Sequence, residues 1–209
     1  MRWYDTGKRI LDITISLLLA LAFLPFWILL PILIALDSKG SILFSQPRVG
    51  KNGNIFRILK FRSMVTDADD LLWKHPKYER LREEFRSKDW KLEHDPRITR
   101  VGKILRKLSI DEFPQVFNVL RGEMSIVGPR AYREKELVEQ QQKYPYTKNW
   151  IRQVLTIKPG ITGLWQVSGR NDVPFDKRVK IDAEYASRRS LVEDLWILLK
   201  TPTAMLSKW

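Results

Sequence analysis

The longest apolar stretch of the chain lies near its N-terminus. From Ile13 to Leu36 there are 24 residues without a formal charge. As a helix rising about 1.5 Å per residue, this run would measure about 36 Å and could cross a bilayer. A buried core helix of this apolarity would be unusual, and a cleaved signal peptide has a shorter apolar run of about 7–15 residues. The pattern therefore predicts a membrane segment within residues 1–37, followed by a separate domain over residues 38–209.

Two prolines interrupt this apolar segment. A proline inside a helix removes a backbone hydrogen bond and kinks the axis, so Leu24-Pro25 predicts a break and Pro31 predicts a second one. Basic residues flank the segment on both sides, which favours keeping both ends in the cytoplasm. A helix that enters the membrane, breaks at Leu24-Pro25 and returns agrees with both observations. A single spanning helix remains the alternative.

After the apolar segment, the pattern changes to short runs with alternating polarity. Residues 41–64 contain two apolar runs separated by the turn sequence of residues 50–54, which predicts a β-hairpin. The alternation in the second run places Lys60 and Arg62 on one face of the strand. Two neighbouring cations suit a phosphate group, and they are equally typical of a solvated strand face.

Most of the remaining chain has helical spacing. Residues 67–93 carry opposite charges three and four residues apart, which predicts a charged helical insert broken at Pro76. Apolar residues over 104–120 predict two helices with a break near Ser109, followed by a loop at Gly128-Pro129. The stretch 191–209 combines apolar residues, lysine and tryptophan, which is typical of an interfacial helix. The predicted fold class is α+β and mostly helical, with an N-terminal re-entrant membrane helix hairpin, one small β-hairpin and interfacial amphipathic helices.

The charge balance points to an anionic partner. Lys and Arg number 37 against 24 Asp and Glu, a net charge of +13, which suits nucleic acid, anionic lipid or a phosphorylated substrate. The chain has no cysteine, which excludes a disulfide scaffold, a thiol nucleophile and a cysteine-based zinc site. It also contains neither a P-loop nor a G-x-G-x-x-G dinucleotide motif.

An adjacent acidic pair, Asp111-Glu112, lies in a strongly basic neighbourhood. One interpretation is a capping box with Ser109 as N-cap and Glu112 at N3, although Pro114 would then remove a hydrogen bond early in the helix. The other interpretation is chemical. A carboxylate at a helix N-terminus is held ionised by the helix dipole, which favours metal ligation or nucleophilic attack. Residues alone leave both roles open.

Three ordered stretches resemble a known enzyme family. They read KFRSM (60–64), DPRITRVGKILRKLSIDEFPQVFNVLRGEMSIVGPR (95–130) and PGITGLWQVSGRND (159–172). Together with the apolar N-terminal helix, they resemble the monotopic phosphoglycosyl transferases, which are bacterial sugar transferases. The third stretch and the charged insert are most similar to the undecaprenyl-phosphate hexose (galactose or glucose) phosphotransferases. The chain resembles the minimal catalytic form, without the N-terminal membrane bundle of longer members.

The resemblance implies a reaction and its partners. A UDP-sugar, UDP-galactose or UDP-glucose, would donate its phospho-sugar to polyprenyl (undecaprenyl) phosphate and release UMP. The transfer would use Mg²⁺ and a covalent aspartyl phospho-sugar intermediate, as the first membrane step of polysaccharide or glycoconjugate assembly. The catalytic domain would lie on the cytoplasmic face of the bacterial inner membrane, among membrane lipids. No nucleic acid partner is expected, and a homo-oligomer is left open. The alternatives are a non-enzymatic membrane scaffold and a membrane-tethered nucleic-acid-binding protein.

The resemblance also assigns roles to individual residues. Asp111 matches the nucleophile, Glu112 the Mg²⁺ ligand and Arg106 a phosphate-binding residue. Further matching positions, expected to bind substrate, are Lys60 and Arg62 of the basic strand, Pro129 and Arg130 of a nucleotide-associated motif, and Arg170 and Asp194, whose roles are not fixed.

The chain departs from the family's pattern at two places. Leu24-Pro25 aligns with the break of the re-entrant hairpin, where the family commonly has Ser-Pro. Residues 129–131 read Pro-Arg-Ala where family members often read Pro-Arg-Pro. The second departure is expected to loosen the loop.

Overall fold

The structure, a computed structural model, describes residues 2–87, 92, 94–169 and 173–206. Within these residues helices predominate and the strands are short. In chain order the elements are α1 (Arg2–Ala22), α2 (Leu24–Asp37), β1 (Leu43–Val49), β2 (Ile55–Phe61), α3 (Ala68–Lys74), α4 (Glu79–Ser87), α5 (Arg100–Lys107), α6 (Gln115–Leu120), β3 (Ser125–Val127), α7 (Glu134–Lys143), α8 (Lys148–Val154), β4 (Gly160–Thr162), α9 (Leu164–Val167), α10 (Phe175–Arg188) and α11 (Leu191–Leu206).

The strands form two small sheets. Strands β1 and β2 pair antiparallel, with Leu43 opposite Phe61 and Val49 opposite Ile55. Their connection contains Asn52 in the left-handed backbone region, as a tight hairpin turn requires. Strands β3 and β4 pair in parallel and were not predicted, because three residues are too few to show alternation. The predictions of a mostly helical α+β fold and of the β-hairpin are confirmed.

The N-terminal helices α1 and α2 meet at an angle of 63°. Neither helix alone is long and apolar enough to cross a membrane, whereas the bent pair has the length and composition to do so. The break lies at Phe23, one residue before the predicted Leu24-Pro25. Pro25 is in the first turn of α2, where its missing N–H would have no helical partner anyway. The second break predicted at Pro31 is wrong: α2 continues through it to Asp37.

The first half of α1 is bound to the rest of the protein by charged side chains. Arg9 donates to the carbonyl oxygens of Val119 (2.7 Å) and Leu120 (2.9 Å) at the end of α6. Asp12 accepts from Ser125 Oγ and from the Ile126 N–H, both at 2.9 Å. These contacts make the start of α1 part of the same packed body as α6 and β3.

The charged insert consists of α3 and α4. Helix α3 ends at Lys74 and a short 3₁₀ turn begins at Pro76, where the break was predicted. Part of the insert, residues 88–91 and 93, lies outside the described residues. The proposed division of the chain at residue 37 remains a prediction.

Candidate active site

The acidic pair lies in a single 3₁₀ turn, Ile110–Glu112, between α5 and α6. Ser109 has a left-handed backbone (φ 55°) and reverses the chain, and its side chain makes no capping hydrogen bond. Helix α6 starts only at Gln115, with Pro114 at its N-cap position. The capping box with Ser109 as N-cap is therefore not formed.

Asp111 is buried, with 6% of its surface exposed. Burial raises the pKa of its carboxyl group, the charges of Lys60 and Arg106 oppose that rise, and Glu112 adds to it. The expected lowering by a helix dipole is outweighed, because the helix that follows has only six residues. Lys60 Nζ lies 2.6 Å from Glu112 Oε1, so strand β2 supplies the cation beside the pair.

Helix α5 brings Arg106 to the same place. Thr99 caps this helix by accepting from the Gly102 N–H. A Cβ atom at Gly102 would lie 2.0 Å from the Ser63 carbonyl oxygen, so only glycine allows α5 to approach the end of β2 this closely. At that distance Arg106 Nε donates to Ser63 Oγ at 3.0 Å. Burial lowers the pKa of Arg106, and the charge of Asp111 partly offsets the effect.

These residues line one large cavity of about 1540 Å³. Its charged and polar lining includes most of the residues predicted from the sequence, namely Lys60, Arg62, Arg106, Asp111, Glu112 and Arg130. Its apolar lining comes from both N- and C-terminal helices, through Ile15, Leu19, Phe23, Leu198 and Met205. The lining of the cavity therefore combines cationic and acidic side chains with apolar ones.

Arg62 makes a contact that the strand alternation did not predict. Its Nη2 donates to the carbonyl oxygens of Ser38 (2.5 Å) and Ile34 (3.2 Å) at the end of α2. Lys60 instead pairs with Glu112. The two cations thus hold different partners, and the observed contacts of Arg62 connect the N-terminal helices to β2. Its contact with substrate stays a prediction.

The loop of residues 128–132 is held by hydrogen bonds along its backbone. The Gly128 N–H donates to Thr162 O, and Pro129 O accepts from the Gly160 N–H. The Ala131 carbonyl accepts from Arg48 Nη1 at 3.0 Å. The expectation that alanine at this position loosens the loop stays a prediction. The structure presents Arg130 from a fixed backbone.

A buried carboxylate beneath this loop was missed in the sequence. Asp182 Oδ2 accepts from the Arg130 N–H (3.1 Å) and the Tyr132 hydroxyl (3.0 Å). The guanidinium groups of Arg130 and Arg178 lie 5.6 and 5.4 Å from the centre of the Trp165 ring. Burial raises the pKa of Asp182 to about 7, although its hydrogen bonds and both arginines oppose the shift. The available signal was the pair Arg178 and Asp182, four residues apart on the inward face of α10.

We expect Asp182→Asn to change how stability depends on pH. A carboxyl group with a raised folded-state pKa binds more protons folded than unfolded between about pH 4 and 7, so wild-type stability falls as pH rises through that range. The asparagine variant lacks this titration. Its melting temperature relative to wild type should therefore rise from pH 5 to pH 7 and then level off. A difference that stays constant with pH would show that Asp182 does not titrate there.

Asp194 lies elsewhere, buried between α1, α10 and α11. Its carboxylate is 3.0 Å from Lys8 Nζ and accepts from the hydroxyl groups of Tyr185 (2.5 Å) and Tyr4 (3.2 Å). It does not line the cavity described above. This position gives Asp194 a structural role and lends no support to the predicted substrate contact. Arg170, the other position without a fixed role, lies outside the described residues.

Gln115 is a second residue that sequence reasoning missed. It is 2% exposed, lines the cavity, and its Nε2 finds no hydrogen-bond partner among the described residues. It follows Asp111 by four residues. A polar side chain at that spacing is the sequence signal that could have placed it near Asp111.

The donor groups present fit a magnesium ion that is shared with a substrate. Among the described residues, no cluster of three or more His, Asp and Glu is arranged to hold a metal. Mg²⁺, however, typically binds one or two protein carboxylates and takes its other oxygens from phosphates and water. The pair Asp111 and Glu112 supplies that number of carboxylates at the cavity wall.

Comparison with known proteins agrees with this arrangement. The family model described as bacterial sugar transferase matches residues 3–208. The exopolysaccharide production protein ExoY of Sinorhizobium fredii is 43% identical over 203 residues, which cover 97% of this chain and 87% of the relative. The undecaprenyl-phosphate galactose phosphotransferase of Salmonella typhimurium is 41% identical over 201 residues, 96% of this chain but 40% of that protein. The undecaprenyl-phosphate glucose phosphotransferase of Komagataeibacter xylinus is 40% identical over 206 residues, 95% of this chain and 36% of that protein.

The match spans nearly the whole chain and includes the N-terminal helices, both sheets and the acidic pair. The resemblance found in the sequence is therefore confirmed, and so is the prediction of an enzyme. The chain belongs to the bacterial sugar transferase family.

Proposed function

We propose that this protein transfers hexose 1-phosphate from UDP-galactose or UDP-glucose to polyprenyl phosphate and releases UMP. The observation that carries the proposal is that one large cavity is lined both by Asp111, Glu112 and Arg106 and by apolar side chains of α1 and α11. A soluble, charged donor and a lipid acceptor both need access to one reacting centre. The names of the galactose and glucose relatives support the choice of sugars and of an undecaprenyl-phosphate acceptor.

The transfer divides into two displacements. A carboxylate oxygen of Asp111 attacks the β-phosphorus of the UDP-sugar, the bond from that phosphorus to the bridging oxygen breaks, and UMP leaves. A phosphate oxygen of polyprenyl phosphate then attacks the same phosphorus, and the bond to Asp111 breaks. The carboxylate is regenerated and polyprenyl-diphosphate-hexose is formed. A covalent intermediate lets the two dissimilar substrates react in turn at one site.

The residues around Asp111 supply the charge that this chemistry needs. Both the attacking carboxylate and the phosphoryl group are anionic, so nearby cations must reduce the repulsion between them. Arg106 and Lys60 lie beside the acidic pair, and Arg130 lines the same cavity. Glu112, together with Asp111, would hold Mg²⁺, which when bound neutralises phosphate oxygens as a Lewis acid. Arg130, fixed by its backbone, would hold the diphosphate or the nucleotide.

The apolar surface supports a location at the cytoplasmic face of the bacterial inner membrane. Large apolar side chains on the two N-terminal helices point outward, among them Leu21, Ile28, Leu29, Ile32 and Leu36. Helix α11 adds Val192, Leu195, Trp196 and Leu199. A soluble monomer rarely exposes such a large apolar area, whereas a lipid bilayer would cover it.

The direct test is an assay of the purified chain with polyprenyl phosphate, Mg²⁺ and a panel of UDP-sugars, with UMP as the readout. We expect UMP with UDP-galactose or UDP-glucose. Turnover only with an N-acetylhexosamine donor would contradict the choice of sugar. No UMP with any donor would leave the scaffold alternative, and salt-sensitive binding of nucleic acid without turnover would favour the tethered nucleic-acid binder.

Removal of magnesium should stop the reaction, and Glu112→Gln should change its magnesium dependence. The neutral amide of glutamine is a weaker metal ligand than a carboxylate. The substitution also removes the negative charge that lies 2.6 Å from Lys60 Nζ. We expect UMP release to require more Mg²⁺ and to fall by about 10²-fold or more. The measurement is a magnesium titration of wild type and variant after treatment with EDTA. If the two curves coincide, the metal ligand lies elsewhere.

Both ends of the bent helix pair should lie on the same side of the membrane. The contacts of Arg9 and Asp12 with α6 and β3 hold the start of α1 on the catalytic domain. Since the chain has no cysteine, Trp3→Cys and Lys39→Cys each give one labelling site. In intact cells both should resist a membrane-impermeant thiol reagent, and both should react after permeabilisation. Labelling at position 3 from outside would instead indicate a single spanning helix.

A further inference from the structure

Helix α5 carries three cations that the catalytic site does not use. Arg100, Lys103 and Lys107 are exposed to solvent, and among the described residues no carboxylate lies within ion-pair distance of them. Arg106, on the same helix, turns instead towards Ser63 and the cavity. The helix thus divides its positive charge between the site and the outer surface.

The helical period places these cations next to an exposed apolar strip. At about 100° per residue, Lys103, Lys107 and Arg100 fall within an arc of about 60°. Ile104 follows about 40° further round and is 60% exposed, and Leu108, just after the helix, continues the strip. The next side chains round the helix are Val101, which is partly buried, and Leu105, which is buried, and both pack in the cluster that contains α2. An order of basic, exposed apolar and buried positions is typical of a helix lying at a membrane surface.

Contacts with α2 fix where this surface lies. Leu105 belongs to one buried cluster with Leu30 and Ile34 of α2. Asp37, the last residue of α2, accepts from the Val101 N–H at 2.9 Å. The exposed apolar surface of α2 reaches Leu36, which is 80% exposed. Helix α5 therefore lies beside the end of the N-terminal helices, at the level where their apolar surface stops.

We propose that Arg100, Lys103 and Lys107 form a binding site for the headgroups of anionic phospholipids such as phosphatidylglycerol. The proposal rests on the membrane location proposed above. If this surface made only apolar contacts with lipid, it would not need three cations without an ion-pair partner among the described residues. Zwitterionic headgroups carry no net charge that would attract these cations. An anionic surface attracts each nearby Lys or Arg. Ile104 and Leu108 would enter the region below the headgroups while the cations hold the phosphates.

The test measures which lipids associate with the protein. The full chain is reconstituted into phosphatidylcholine nanodiscs without polyprenyl phosphate, containing a trace of spin-labelled phosphatidylglycerol or spin-labelled phosphatidylcholine. Electron paramagnetic resonance then gives the fraction of each labelled lipid immobilised by the protein. We expect a relative association constant several-fold higher for phosphatidylglycerol, decreasing towards one at high salt.

Two paired substitutions separate this site from charge in general. Lys103→Gln with Lys107→Gln should bring the relative association constant close to one. Lys177→Gln with Lys180→Gln removes two exposed lysines from α10, which packs on α8, and should leave the preference unchanged. Melting temperatures of both variants check that they fold.

Each other outcome overturns a defined part of the proposal. Equal immobilisation of the two lipids by wild type excludes an anionic-lipid site. A preference that survives Lys103→Gln with Lys107→Gln places the site elsewhere on the protein. If neither lipid is immobilised, the membrane location itself is wrong, whatever the result of the UMP assay.

Discussion

Asp111→Asn should abolish UMP release while leaving the protein folded. The asparagine amide has nearly the shape of the carboxylate but does not form an acyl phosphate, so the first displacement is lost. We expect a decrease on the order of 10³-fold or more, as for removal of a nucleophile that works as part of a unit. Burial already raises the pKa of Asp111, so a neutral side chain at this position should not destabilise the fold.

The assay can locate the loss in the first displacement. With UDP-sugar and no polyprenyl phosphate, wild type should release about one equivalent of UMP per protein and retain the phospho-sugar on Asp111. Mass spectrometry of the peptide that contains residue 111 should detect it. Asp111→Asn should give neither signal, and Glu79→Gln, which neutralises an exposed carboxylate of the insert, should give both. Wild-type UMP release by Asp111→Asn would falsify the nucleophile assignment.

Sequence reasoning selected Asp111, Glu112, Arg106 and Lys60 because they lie in short stretches that resemble the family and close to one another along the chain or on one strand face. Asp111 and Glu112 are adjacent, Arg106 lies one to two helical turns before them, and Lys60 belongs to a short run with a clear alternation. The structure brings these residues, Arg62 and Arg130 to one cavity. Their roles in the reaction remain predictions that the variants above test.

Contacts between residues that are far apart in sequence were not predicted. The alternation placed Arg62 beside Lys60 on one strand face, suited to a phosphate or to solvent, and the structure adds the hydrogen bonds from its guanidinium to carbonyl groups at the end of α2. Asp182 could not be recognised because its partners, Arg130 and Tyr132, are about 50 residues away along the chain. From the sequence alone, a charged side chain that stabilises the fold cannot be distinguished from one that binds substrate, because the distinction depends on such contacts.

The basic residues before the apolar segment show the same limit. In the sequence, Lys8 and Arg9 were counted as charges that keep the N-terminus in the cytoplasm. In the structure Arg9 binds the end of α6, and Lys8 is next to Asp194. Both residues therefore act through specific contacts that hold the start of α1 on the rest of the protein.

Asp194→Ala should strongly destabilise the protein. The substitution leaves the Lys8 ammonium without its partner at 3.0 Å and the Tyr185 hydroxyl without its acceptor, both inside the contact of α1 with α10 and α11. Removing one member of a buried ion pair typically costs about 3–5 kcal/mol. We expect a large decrease in melting temperature and in the amount of folded protein recovered. Exposed Glu79→Ala is the matched control and should change neither.

A second substitution distinguishes a structural role of Asp194 from the substrate contact expected from the sequence. Lys8→Met removes the ammonium group that loses its 3.0 Å partner in Asp194→Ala and keeps the longer ion pair with Asp12 at 3.7 Å. The double variant should therefore recover part of the lost stability. It should also recover UMP release, with a KM for the UDP-sugar close to that of wild type. A substrate-binding Asp194 predicts the opposite pattern, with a normal melting temperature for Asp194→Ala, a raised KM, and no benefit from Lys8→Met. The contacts of Asp194 with Lys8, Tyr4 and Tyr185 favour the first pattern, because they occupy both carboxylate oxygens and Asp194 does not line the cavity that contains Asp111.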